Sequence, residues 1–467
     1  MTLVVKHPPT YRQERTYTYY VIFKEFLGLD YRSITEDRKD TQITTEEADA
    51  PRLLVSDILF QVPNEKWLTN EALPLQPLER WAVLDDLREA NILSKEINVL
   101  FGKKLDGKRF CLQDEKGIAI GLDVFGSIFF MLTRYEELVR KDRDQHNRFP
   151  ATASIAYQEG FLEKPIVNEY LEILWSCLTR LWPRLSRKPR SYHLLLTHDV
   201  DHISAVMNER WTAIIRSSIA DLFKRKDGRL ALKRLEAAFV GRFNNYRNDP
   251  FNIFDFMMDV SEQNGIQSSF YFMAVEDFHD LDGRYAVKDK FVLELMKKII
   301  RRGHKIGFHG SYDSYLDRKK LASEVERLVS TLAKLDYGQS QWGGRQHFLR
   351  WENPTTWQNW ADVGMDFDST LSFADFVGFR CGTCYEFPVF NLVNRQQLSL
   401  YEYPLVAMDS TLFHYMDLKP NQAGERLFSL AKICKHYNGN MVVLWHNTNL
   451  IQEWQISLYQ RIIADLS

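Results

Sequence analysis

The stretch Leu194-Leu195-Leu196-Thr197-His198-Asp199-Val200-Asp201-His202 decides how the rest of this chain reads. Three apolar residues run into His198, Asp199, Asp201 and His202, all able to hold a proton or a metal, as in a buried strand that delivers chemistry at its carboxyl end. Asp199 and Asp201 are two apart, so they project to one face while Val200 points the other way. One carboxylate can then hold a metal while its neighbour handles a proton, the division of labour that metal-assisted hydrolysis requires. Two acids there are equally what a buried strand end carries to cap the next turn.

Downstream, strand-like and helix-like segments alternate. The pattern predicts helices over 254–263, 290–302, 321–335, 354–363 and 455–466, and strands over 267–273, 305–309, 346–351 and 441–446. Such alternation points to a parallel sheet, and its length suits a (β/α) barrel, whose active site lies where the strands end.

Upstream, the spacing of Tyr17, Tyr20, Val21, Phe23 and Leu27 predicts a helix over 14–27, and further helices are expected over 127–138 and 167–181. Short apolar runs between Ile43 and Asp123 read as small strands. Asp142-Arg143-Asp144-Gln145-His146 reads as a solvated loop before Pro150. The basic, proline-punctuated stretch from Pro183 to Arg190 is the best boundary. The expected division is a smaller α+β N-terminal domain over 1–189 and the barrel over 190–467, with a basic helical insertion at about 205–250.

Hydrophobic residues are 45% and charged residues 26% of the 467, a globular composition. A net charge of −2 gives no global pull toward nucleic acid. The N-terminus, Met1 to Pro9, lacks the apolar core of a signal peptide and no window has the apolar length of a membrane span, so a cytoplasmic location is expected. The five scattered cysteines argue against a disulfide framework, and Cys381-Gly382-Thr383-Cys384 reads as two small buried side chains.

Four predicted strand ends carry polar groups: Asp199 and Asp201; His309-Gly310-Ser311-Tyr312-Asp313; Gly343-Gly344-Arg345-Gln346-His347; and Leu444-Trp445-His446-Asn447. His309 and Asp313 are one helical turn apart, a spacing at which both can share a metal, so Asp201, His309 and Asp313 would make an oxygen and nitrogen site with open positions for water. A capping Ser311 or Asp313 beside a satisfied core histidine is the alternative.

In this order the four ends resemble the motifs of the polysaccharide deacetylases of the NodB homology type, carbohydrate esterase family four, over about residues 192–467. The resemblance implies a distorted (β/α) barrel with Asp199 as base, Asp201 as metal ligand, Arg345 orienting the base and His446, two after Leu444, as acid. Asp313 stands where that family has its second His, which hardens the metal site. His347 stands where it has a proline. The stretch Phe376 to Thr383, Tyr403-Pro404-Leu405 and Asp409 resemble a bacterial branch that carries an uncharacterised N-terminal domain, including Arg134-Tyr135-Glu136-Glu137.

The implied activity is a metal-dependent hydrolase that takes an N-acetyl group from a sugar in a polysaccharide or glycan precursor. Zinc is the first choice of divalent metal, with manganese, cobalt, nickel or iron as alternatives. Trp342, Phe348, Trp351 and Trp445 suit stacking on a sugar or ordinary core packing. The competing reading is an inactive descendant that binds a glycan or an assembly partner through the same mouth, and the Asp at 313 favours it. The insertion over 207–247 holds ten Lys/Arg against four acids, and its apolar spacing predicts a basic amphipathic helix. That helix packs on the barrel or meets an anionic surface, a membrane or a lipid-linked glycan.

Overall fold

The computed structural model describes residues 1–241, 246–276 and 279–467. The chain opens with β1 (Leu3–His7), β2 (Tyr31–Thr35), β3 (Asp40–Thr44) and β4 (Arg52–Ser56). A two-stranded ribbon, β5 (Glu79–Trp81) and β6 (Ile97–Val99), follows, and then the hairpin β7 (Cys111–Asp114) and β8 (Gly117–Ile120). Six of these strands form a mixed sheet in the order β2-β1-β3-β4-β8-β7.

Helices Val124–Leu132 and Ile166–Leu181 pack against one another and belong to the apolar core beside this sheet. Every side chain of Val124–Leu132 is buried, so its start needs an internal cap. Asp123 supplies it: Oδ1 accepts the Gly126 N–H at 2.8 Å, and Oδ2 accepts those of Ile58 and Leu59 at 2.8 and 2.9 Å. One carboxylate thus starts the helix and fixes the turn after β4. Gly126 is required there because a Cβ would stand 2.7 Å from the Cβ of Leu59.

The second sheet is built from β9 (His193–Val200), β10 (Ser269–Met273), β11 (Lys305–Gly310), β12 (Gly343–Gln346), β13 (Phe367–Asp368), β14 (Phe387–Asn391), β15 (Gln396–Glu402), β16 (Ala407–Met408) and β17 (Asn440–Leu444). Its order is β14-β15-β13-β12-β11-β10-β9-β17-β16. All neighbours are parallel except β14 and β15. β9 and β12 are separated by two strands, which would set them roughly 14 Å apart in a flat sheet. Arg345 of β12 nevertheless bonds Thr197 and Asp199 of β9, so the sheet curls about its own interior. This is the expected α/β barrel, left open between β14 and β16.

The alternation of strand and helix breaks at β14–β15, and the hairpin has a partner. Tyr17 in the first helix, Arg12–Tyr19, donates to the Pro388 carbonyl of β14 at 2.8 Å. Arg395 in the hairpin turn pairs with buried Glu14 of the same helix at 2.6 Å. Buried apolar side chains from both sheets form one continuous cluster.

Three expectations change. The strand expected over 346–351 is β12, Gly343–Gln346, and a tight helical turn, His347–Leu349, follows it. The loop over 142–150 docks on the barrel instead of lying in solvent: Arg143 pairs with Glu352 at 3.0 Å, and the His146 ring packs on Phe348. The basic insertion is two helices, Trp211–Phe223 and Gly228–Val240, packed together as a hairpin. Asp227 stops a single long helix by capping the second, its Oδ1 accepting the Leu230 N–H at 2.9 Å. Arg242, counted in its charge, lies outside the described residues. All five cysteines are buried and unpaired.

Candidate active site

At the carboxyl ends of the strands, β9 delivers Asp199 and Asp201, β11 His309, β12 Arg345 and then His347, β16 Asp409, and β17 His446. A cavity of about 320 Å³ opens there, with Asp199, Asp201, His347 and His446 in its wall. His198, by contrast, turns away: its Nδ1 donates to the Trp445 carbonyl at 2.8 Å and its ring packs on Phe270.

Three groups converge on one point. The Oδ1 of Asp201 lies 3.1 Å from His309 Nε2 and 3.6 Å from His347 Nε2, and ligand atoms of all three fall within 4.8 Å of one another. The other nitrogen of each ring is already engaged. His309 Nδ1 donates to the Arg345 carbonyl at 2.9 Å, and His347 Nδ1 meets Asp282 Oδ1, also at 2.9 Å. An imidazole whose Nδ1 holds the hydrogen presents a bare lone pair at Nε2, the arrangement that outer partners impose on metal-binding histidines. Asp201 Oδ1 and His309 Nε2 are buried and otherwise without hydrogen-bond partners. One carboxylate and two imidazoles, with room left for further ligands, fit a divalent metal without selecting one.

Asp313 is not in this group. Its half-exposed carboxylate accepts from Arg350 at 3.2 Å, and His347 occupies the place expected of it. The chain after His309 does not continue as a helix, so the four-residue spacing never brings Asp313 back toward the metal position. His347 comes forward because Phe348 and Leu349 both take left-handed backbone, at φ 60° and 56°, directly after it. Such conformations cost on the order of 1–3 kcal/mol each and persist only where the surroundings enforce them. Part of that enforcement comes from Arg148, which donates to the Phe348 carbonyl at 2.9 Å.

Asp199 stands beside the trio in a separate bonding arrangement. Buried Arg345 donates to its Oδ1 at 2.8 Å, to Thr197 Oγ1 at 3.0 Å and to the Ser369 carbonyl at 2.8 Å, so the guanidinium is locked before it meets the carboxylate. On the opposite flank, His446 Nδ1 meets Asp409 Oδ1 at 2.7 Å, and its Nε2 stands 3.5 Å from Asp201 Oδ2. Burial pushes the His446 imidazole down, but Asp409, Asp201 and Asp199 outweigh it and raise it to about 10. At neutral pH it therefore carries a proton to give. Burial pushes Asp201 up, and His347, His309 and His446 reverse this, holding the carboxyl far below the usual range.

The structure therefore brings Asp199, Asp201, His309, Arg345 and His446 together and leaves Asp313 outside. Sequence reading missed His347 as a site residue, although it leaves a strand two residues after Arg345 and so shares its side of the sheet, as Asp201 does with Asp199. It also missed Asp282, which follows β10, the one central strand whose exit carried no evident motif. Asp409 was visible but without a role, and Arg148 gave no signal. Of the four aromatics, Phe348 alone lines the cavity; Trp351 and Trp445 are buried core, and Trp342 precedes β12 at the other end of the barrel.

A family of unknown function, DUF7033, matches residues 3–183. No curated protein sequence matches the chain. Solved structures give partial likenesses at low identity. A protein assigned as a polysaccharide deacetylase from Mycobacterium smegmatis is 16% identical, with 59% of this chain and 84% of that one covered and a TM-score of 0.38. An allantoinase is 12% identical, with 60% and 87% covered and a TM-score of 0.37. A protein assigned as a polysaccharide deacetylase from Pseudomonas aeruginosa PAO1 is 10% identical, with 59% and 87% covered and a TM-score of 0.35.

Proposed function

We propose that the chain is a metal-dependent hydrolase that removes the N-acetyl group from a sugar of a polysaccharide or glycan precursor. The observation that carries this is the aim of two Nδ1-tethered imidazoles at the same Asp201 oxygen, beside an Asp held by a buried arginine. Asp201, His309 and His347 would hold the metal. A divalent ion there would supply Lewis acidity toward the acetyl carbonyl.

Asp199 takes the proton of the attacking water as general base, and Arg345 orients it. His446 delivers a proton from Nε2 to the departing amine nitrogen while Asp409 holds Nδ1 and stabilises the imidazolium. Water adds across the amide, so acetate and the protonated amine leave, and one proton passing from Asp199 to His446 restores both side chains. The aspartate at 313 favoured an inactive descendant; with His347 supplying an imidazole, that argument loses its basis.

The test is acetate release from N-acetylglucosamine oligosaccharides by the full chain, with each divalent metal added after chelation. Release that requires metal and vanishes in Asp199→Asn supports the reading. Purified protein that never takes up stoichiometric metal removes it.

A further inference from the structure

The hairpin between β9 and the helix Phe254–Gln263 has two apolar surfaces, and the fold uses one. Its helices meet through buried Ile214, Ser218 and Asp221 on the first and Leu230, Arg234, Ala237 and Ala238 on the second. Asp221, fully buried, takes the Arg234 Nε–H at 2.7 Å and pairs with Arg225 at 2.5 Å, so the hairpin is locked by its own ion pairs. The outer side of each helix carries a second apolar stripe. Ile215, Ile219 and Leu222 are exposed at spacings of four and three, as are Leu232, Leu235 and Phe239 at three and four. Phe223, at the end of the first helix, is 72% exposed, and Leu232 is 69% exposed.

Charge says what kind of surface these stripes would meet. Phe223 runs directly into exposed Lys224, Arg225 and Lys226, and Arg216, Arg229 and Lys233 are exposed on the same two helices. Among the acids of the hairpin only Glu236 is exposed; Asp221 is buried, and Asp227 is half-buried as a cap. Apolar side chains at helical spacing beside exposed cations are the composition of helices that lie in a membrane interface, where the apolar face enters the acyl boundary and the cations meet anionic headgroups. A symmetric contact between two copies would set these cations against each other. No helix among the described residues is long and apolar enough to cross a membrane, so contact through this hairpin would be peripheral.

We propose that the hairpin is a docking surface for an anionic lipid bilayer. The hairpin springs from the strand that carries Asp199 and Asp201, and Asn208 at its base donates to the Arg284 carbonyl at 2.8 Å. Docking would therefore hold the mouth of the barrel close to the membrane.

The test is sedimentation of the full chain with phosphatidylcholine vesicles, with and without phosphatidylglycerol. It is read without turnover, so its failure leaves the proposed chemistry untouched, and failure of that chemistry leaves this result standing. Binding is expected to the anionic vesicles only, and to fade toward 1 M salt, where the screening length shrinks to about 3 Å. Each basic residue near such a surface is worth about fivefold in partitioning, so Lys224→Gln with Lys226→Gln should weaken binding about 30-fold. Ile219→Ser with Phe223→Ser should weaken it at least about tenfold, with circular dichroism and melting temperature little changed because both side chains are more than half exposed and neither belongs to the core. Four results would each overturn the proposal: no binding at low salt, equal binding to neutral vesicles, binding that neither pair alters, or a dimer that the Ile219/Phe223 variant dissolves without vesicle binding.

Discussion

At the scale of single residues, the two aspartates that leave β9 differ by what surrounds them. Asp199 faces a guanidinium fixed by three other bonds, so its direction is set before any ligand arrives. Asp201 faces only imidazoles, which can give up their Nε2 contacts to a metal at no cost in other hydrogen bonds. Their variants should therefore separate. Asp199→Asn is expected to lose roughly 10²- to 10⁴-fold in turnover, the usual reach of a general base, while metal content stays near that of the parent. His347→Ala removes one of three donors and should bring metal content down. Asp313→Asn, whose carboxylate is turned to Arg350, should alter neither. Metal analysis and acetate release on the same preparations check all three; metal lost in Asp313→Asn but held in His347→Ala would return the ligand to position 313.

At the scale of elements, the loop over 142–150 shows what a chain-end reading of the barrel leaves out. Arg148 reaches the cavity wall from the N-terminal part, held by Asp144 at 2.7 Å, and bonds the Phe348 carbonyl and the Tyr415 hydroxyl. It thus steadies the strained turn that brings His347 into place. Arg148→Ala should remove charged hydrogen bonds worth about 1.5–3 kcal/mol and lower kcat/KM for an N-acetylated oligosaccharide by roughly 10- to 100-fold. An unchanged kcat/KM would reduce the loop to a scaffold. The barrel itself was legible because β9, β11 and β17 are short, largely apolar runs that end in polar groups, and the helices after β10, β11 and β12 carry strong periodicity. Their predicted ends fall within a few residues of Lys290–Arg301, Arg318–Ala333 and Thr355–Asp362. The two-residue strands β13 and β16 are too short to show a period. The 142–150 loop is polar because its partners are ion pairs and carbonyls on the barrel, and a sequence does not distinguish a polar loop bonded to protein from one bonded to water. Asp313 misled for the complementary reason: a spacing of four has helical meaning only if the backbone is helical.

At the scale of the whole molecule, the two sheets are joined by buried charge as well as by a shared apolar core. Glu137, which follows the helix Val124–Leu132, accepts from Arg134 at 2.8 Å and from Arg380 at 2.9 and 2.5 Å, and all three side chains are buried. Arg380 in turn donates to the Ser372 carbonyl at 2.7 Å, in the segment after β13. Removing the carboxylate charge would leave Arg380 without a carboxylate partner in a dry junction and Arg134 with only its longer pair to Glu136 at 3.3 Å, a loss of about 3–5 kcal/mol when one partner of a buried pair is deleted. Glu137→Gln should therefore destabilise both halves together: residues 1–189 and 190–467 are expected to unfold in one transition, at a lower denaturant midpoint than the parent. The pH dependence follows with a definite sign. Burial pushes the Glu137 carboxyl up, but Arg380 and Arg134 outweigh it and hold it below its ordinary 4.5. A depressed carboxylate contributes stability that is fully present above about 4.5 and is lost as pH falls through the folded value, at up to about 1.4 kcal/mol per pH unit for one proton. Denaturant unfolding from pH 7 down to pH 3 should show the parent losing stability more steeply than Glu137→Gln below pH 4.5. Parallel curves would mean that this junction is held by packing alone, and two separate transitions in the parent would mean that the shared core does not couple the sheets.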